Sequence, residues 1–177
     1  NIILVGSDGI ILDAVKRIDF TQSSVRQILP GFKYELPPKQ DKSNITECDI
    51  KTVVDQIKMR SGKRLSSAVL DAVEGVSPLI SREIAAFACG GDTAVDELTP
   101  IALQRLEAKL GEIKEMLLGE GAEPTMLLRD GVKPYDFTFM DITQYGFAVT
   151  PKRFGSFSEL LDDFYFEKDR FERTRQR

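Results

Sequence analysis

Apolar residues recur along this chain at two spacings, one helical and one of period two, and the change between them divides it. The clearest stretch is 65–88, LSSAVLDAVEGVSPLISREIAAFA. Leu65, Ala68, Val69, Ala72 and Val73 fall on one face of a helix. Gly75 breaks the pattern where positive φ is needed, and Ser77-Pro78 restarts it with a capping hydroxyl and a proline at the first helical position. Leu79, Ile84 and Phe87 are expected to form the apolar side of the second helix. The spacing therefore predicts two short helices joined by a tight hairpin.

Before this stretch, Ile2–Val5 and Ile10–Val15 read as strands around Gly6-Ser7-Asp8-Gly9, a hairpin signal. Thr21–Ile28 is expected to hold one helical turn. Pro30-Gly31 favours a turn with positive φ at the glycine, and Pro37-Pro38 enforces extended backbone. Phe32, Tyr34 and Leu36 are expected to pack this connection down. Thr46, with Asp49 three residues on, resembles a capping box, and Ile50, Val53, Val54 and Ile57 follow as a stripe.

After the hairpin, Thr99-Pro100 opens another helix, with Leu103, Leu106, Leu110, Ile113 and Leu117 as its stripe and Gly119 and Gly121 at its end. The pattern then reverts to period two. Thr125–Leu128 and Tyr135–Ile142 flank Arg129-Asp130-Gly131, with Phe137 and Phe139 expected on one face, and a short strand is expected at Phe147–Val149. A last helix begins at Ser156, where Glu159 completes a capping box. Phe157, Leu160, Leu161, Phe164 and Phe171 line one side before a charged run ending in Gln176-Arg177.

The predicted class is α+β. A helical unit (45–121) is inserted in a small antiparallel sheet domain made of a hairpin and ordered loop (1–44) and returning strands (122–155). The last helix (156–177) is expected to start a coiled-coil arm.

Composition narrows the chemistry. The 177 residues are 42% hydrophobic and 29% charged, as in a soluble globular protein, and no apolar run is long enough to cross a bilayer. The chain opens at Asn1 directly into a strand, so it is expected to be an internal fragment. With 24 Lys+Arg against 28 Asp+Glu the net charge is −4, unlike a protein wholly devoted to nucleic acid. A basic face is still available, because Lys58, Arg60, Lys63 and Arg64 lie close together. Cys48 and Cys89 have no metal-ligand spacing, and a reducing cytoplasm is the simpler setting. The chain has no histidine, which removes the commonest general base and most zinc sites. No cofactor is expected.

The chemistry left open is recognition of anions. A helical hairpin aims several unpaired N–H groups at one point in solvent, which suits a phosphate; taken alone, such a stretch is more commonly an ordinary corner of a small bundle. The run KMRSGKR is either a helix end with cations at the negative end of its dipole or a phosphate-contacting patch.

Several strings match a known family: NIILV…DGIILDAVKRI, VRQILPGFKYELPP, GVSPLISREI and FGSFSELLDDFYFEK, in order over nearly the whole chain. In these the sequence resembles the N-terminal NFACT region of the RqcH/NEMF family, whose bacterial members are often labelled fibronectin-binding protein A. The resemblance implies ribosome-associated quality control: binding a large ribosomal subunit that holds peptidyl-tRNA, and bringing tRNA for alanine-rich tailing of the stalled chain. It also implies a helix-hairpin-helix unit beside a sheet distantly similar to formamidopyrimidine-DNA glycosylases, and a following coiled-coil arm. An Asp-Arg pair tied to the tRNA-dependent step is expected upstream of Asn1. Ser77 stands where such hairpins commonly carry a second glycine.

The expected function is a non-catalytic RNA-binding module for tRNA and large-subunit RNA. The amides of Gly75, Val76 and Ser77 would meet phosphates, helped by Lys58, Arg60, Lys63 and Arg64, with Arg26, Lys39 and Lys42 as further candidates. The alternative is a fibronectin-binding surface adhesin, against which the chain shows no repeats and no strand-donor segment. A nuclease or glycosylase would need metal-binding acids such as Asp162-Asp163, but adjacent acids on a helix point apart.

Overall fold

Gly6 to Gly9 reverse the chain, with Gly9 at φ +79°, and Ile3–Val5 (β1) pairs antiparallel with Ile11–Ala14 (β2). The computed structural model describes residues 1–119 and 121–175. They divide into two units, Asn1–Asp41 and the chain from Lys42 onward. In the first, Gly31 takes φ +86° as its turn requires. The loop is fixed by main-chain pairing, Ile11 N–H to Phe32 O at 2.8 Å and Gly31 N–H to Ile11 O at 2.9 Å. Phe32 and Leu36, expected to pack it, stay exposed. Thr21–Ile28 is not helical: the Asp19 carboxylate takes the N–H of Thr21 at 2.9 Å and of Gln22 at 3.2 Å, a local competitor of helix, and Ile28 bridges Ile18 instead.

Among the described residues the second unit holds five α-helices, Ile50–Lys58 (α1), Leu65–Ala72 (α2), Pro78–Cys89 (α3), Pro100–Leu118 (α4) and Phe157–Arg175 (α5). The cap of α1 is Asp49, which accepts from Lys51 N–H at 3.1 Å. Thr46 instead donates to Asn44 in a turn of its own, so the helix starts later than its capping-box pattern suggests. The α2 stripe is buried as expected. On α3 Leu79 and Ile84 are buried as expected, joined by Ile80, Ala85 and Ala88, whereas Phe87 lies half outside beneath the Lys109 ammonium. The cause is that α2 and α4 both pack on α3 and select the arc between them. Thr99 caps α4, accepting from Ala102 N–H at 3.1 Å. Leu106, Leu110 and Ile113 enter the core, whereas Leu117 runs past its edge. Each large apolar side chain so buried contributes about 1.5–3 kcal/mol.

Thr125–Arg129 (β3), Lys133–Thr138 (β4) and Val149–Arg153 (β5) form one antiparallel sheet in the order β4-β3-β5. Both edges of β3 are thus occupied, and β1 and β2 form a separate two-stranded sheet. This corrects the expectation that the later strands rejoin the first. Asp130 and Gly131, at φ +53° and +70°, make the mirror-image turn an Asp-Gly pair favours. The short strand expected at Phe147–Val149 falls later: Gly146–Ala148 is a 3₁₀ turn and β5 begins only at Val149, with Pro151 tolerated because β5 is a sheet edge. β4 stops at Thr138, so Phe137 and Phe139 part company: Phe137 meets the Phe164 ring at 5.0 Å, and Phe139 packs on the helical core. Ser156 caps α5, accepting from Glu159 N–H at 3.2 Å. Leu160 and Phe164 are buried with Met126, while Phe157 and Leu161 remain partly outside. Gln176 and Arg177 lie outside the described residues.

One buried acid joins helices to sheet. Glu83 on α3 is 1% exposed. Its carboxylate accepts from Thr143 N–H at 2.9 Å, Thr143 Oγ1 at 2.6 Å and Gln144 N–H at 2.9 Å. Gln144 Nε2 donates in return to Leu79 O at 3.0 Å. A carboxylate supplies acceptors only, matching three donors. The change Glu83→Gln turns one acceptor into a donor facing an N–H, so it is expected to lower unfolding free energy by about 1–3 kcal/mol, read from the urea midpoint.

Candidate nucleic-acid interface

The α2–α3 hairpin lies at the surface. Gly75 has φ +74° and nothing within 4 Å of where a Cβ would stand, and both Gly75 and Ser77 are exposed. Ser77 caps α3, its Oγ accepting from Ile80 N–H at 3.3 Å. The hairpin is tied to the preceding segment through Glu74 N–H to Ser43 O at 2.9 Å and Ser43 N–H to Ala72 O at 2.7 Å. Among the described residues no hydrogen bond engages the N–H of Gly75, Val76 or Ser77. These residues rim a groove of 530 Å³, walled largely by apolar side chains such as Val76, Ile113, Phe139 and Phe157.

The cations singled out from sequence have different fates. Lys63 pairs with Asp71 at 2.5 Å, a bond that holds the Asp71 carboxyl below its ordinary range, with the charges of Lys42 and Arg60 adding to the effect. Lys42, Arg60 and Lys63 therefore gather around the last turn of α2, next to the hairpin, where Glu74 is the neighbouring exposed acid. Arg60 is also a clamp: it donates to Gln56 O at 2.5 Å and Asp71 O at 3.1 Å, joining the ends of α1 and α2. Arg64 sits at the start of α2 and donates to Asp92 O at 2.7 Å. Lys58 makes only a loose exposed pair with Asp55 at 4.0 Å. In the N-terminal unit Arg26 stacks on Tyr34 at 5.2 Å and donates to Glu35 O at 2.6 Å, and Lys39 is exposed.

Sequence reading missed a second cluster. Tyr135 and Tyr145 join hydroxyls at 3.3 Å, and Arg82 donates to the Tyr145 oxygen at 3.2 Å. The Arg129 guanidinium lies 3.7 Å from the Tyr135 ring centre. The bond to Tyr145, aided by Arg129 and Arg82, holds the Tyr135 phenol below its usual range. Burial pushes that of Tyr145 up, followed by its bond to Tyr135. The β3–β4 register skips Tyr135, a bulge that re-aims its side chain. Only the Asp-Gly turn after Arg129 hinted at the local geometry.

The chain matches, over residues 1–177, the family model described as NFACT N-terminal and middle domains. It belongs to the NFACT family. It is 33% identical over 177 residues to the Rqc2 homolog RqcH of Bacillus subtilis (strain 168), covering 99% of this chain and 28% of that protein. Among solved structures it is similar to the fibrinogen binding protein from Staphylococcus aureus, with a TM-score of 0.66 and 25% identity over 92% of this chain and 54% of that one. The N-terminal domain of the fibronectin-binding protein PavA from Streptococcus pneumoniae matches at a TM-score of 0.30 and 17% identity, over 94% of this chain and 51% of that one. The chain thus spans little more than a quarter of its curated relative and about half of the solved ones.

In this NFACT chain, cations that clamp main chain and cations that face solvent are separable by stability. Arg60→Gln is expected to lower unfolding free energy by about 1–3 kcal/mol, because two helix ends lose a charged donor. Lys58→Gln should stay within about 0.5 kcal/mol. Chemical denaturation of the two variants checks this.

Proposed function

We propose that this chain is an RNA-binding module, non-catalytic by itself, of a cytoplasmic ribosome-associated quality-control factor. Its partners would be tRNA and the RNA of a large ribosomal subunit carrying a stalled nascent chain, in the service of alanine tailing. Family membership supports the process, and the observation that carries the contact is the exposed hairpin. Among the described residues three adjacent main-chain N–H groups have no hydrogen-bond partner, and Lys42 and Lys63 lie around Asp71, in the last turn before the hairpin. Such a site meets a phosphodiester in the manner of a helix-hairpin-helix unit, with Ser77 in place of the second glycine offering the same amide. The α5 helix would lead into a coiled-coil arm.

Neutralising phosphates releases counterions, so affinity for tRNA is expected to fall steeply with salt. Lys42→Glu combined with Lys63→Glu should weaken binding at low salt roughly tenfold or more and flatten the salt slope. Filter binding of labelled tRNA across a salt series decides it, and equal affinities for the variant and the parent would refute the contact.

A further inference from the structure

Arg82 and Arg129 stand apart from the cations around them. On the same sheet Lys152 is tied to Asp163 at 2.7 Å, and Arg153 to Glu123 at 2.9 Å and Asp141 at 3.0 Å. Among the described residues no ion pair engages Arg82 or Arg129; their partners are the phenols of Tyr145 and Tyr135. Both arginines are exposed. Two residues past Tyr145, Phe147 is fully exposed on the 3₁₀ turn Gly146–Ala148. A bare phenyl ring there leaves apolar surface in water, and nothing in the core needs it.

We propose that Arg82, Arg129, Tyr135, Tyr145 and Phe147 form a second nucleic-acid contact, a platform that takes unpaired nucleotides by stacking and their phosphates by charge. This rests on the RNA-binding reading and adds to it a preference for single strands. The parts match what such recognition needs. The Arg129 guanidinium already stacks on Tyr135, and an arginine plane is itself a surface on which a base stacks. Arg82 supplies a second positive charge one hydrogen bond from the phenol pair. Phe147 supplies a ring that every base accepts through its π face. The platform is held rigidly. Glu83, buried one residue from Arg82, grips Thr143 and Gln144 and so sets where Tyr145 emerges. A protein partner gripping Phe147 is the competing occupant. The pairing of two arginines, neither matched by a carboxylate among the described residues, with an arginine plane over a tyrosine ring and a bare phenyl nearby favours a polyanion that carries flat bases.

The test uses the full 177-residue chain with a labelled single-stranded 12-nucleotide RNA and the corresponding duplex, read by fluorescence anisotropy. Phe147→Ala should weaken single-strand binding about five- to fiftyfold and leave the duplex, whose bases are already stacked, unchanged. Arg129→Lys should weaken single-strand binding while keeping the salt slope, because charge remains and the plane is lost. Arg129→Gln should also reduce that slope by about 0.7. Neither position is buried, so the melting temperature should hold. If Phe147→Ala and Arg129→Lys bind the single strand like the parent while Lys42→Glu with Lys63→Glu loses it, the platform is wrong and the hairpin contact stands. If no RNA binds at all, both fall. If Phe147→Ala weakens only association with large ribosomal subunits and not the oligonucleotide, the ring meets protein and this proposal is overturned.

Discussion

The bond set of Glu83 organises the second unit. A carboxylate removed from water is costly unless its lone pairs are met, and here three donors from one loop meet them. That requirement locks the segment after β4 onto α3, and with it the path into β5. The sheet, covered by α5 through Leu160 and Phe164, is thereby joined to the helical core by a polar contact rather than by apolar packing alone. Directional bonds of this kind specify one arrangement where greasy surfaces would tolerate several.

The same logic explains the basic run 58–64. Helix ends leave carbonyls without partners, and nearby arginines satisfy them. Arg60 takes the carbonyls that close α1 and α2, and Arg64 takes that of Asp92. A cluster that reads as a patch along the chain thus becomes partly internal mortar. What faces a ligand is narrower: the hairpin amides, and Lys42 and Lys63 beside Asp71.

Exposure separates the two candidate contacts in kind. The hairpin offers hydrogen-bond donors of the main chain, which follow the geometry of a phosphate and are indifferent to bases. The Arg–Tyr–Phe platform offers planes, which suit bases that are not already stacked. Held in one unit, the two would suit an RNA that presents a backbone turn and an unpaired stretch together, as folded RNAs do.

Local rules carried much of the fold. The stripe of α2, the caps at Ser77, Thr99 and Ser156, the Asp130-Gly131 turn and the left-handed Gly75 are all properties of a few adjacent residues, so they were legible along the chain. The α+β class followed from the change of period. Decisions between distant segments were not legible. Glu83 follows Ser81-Arg82 with no sequence sign that residues 143–144 would satisfy it, and the register skip that turns Tyr135 toward Tyr145 depends on how β4 pairs with β3. Which cations remain free depends on carbonyls and carboxylates brought near by folding. Short-range periodicity and capping belong to the sequence itself, whereas burial of charge and the convergence of side chains far apart in the chain exist only once the elements are packed.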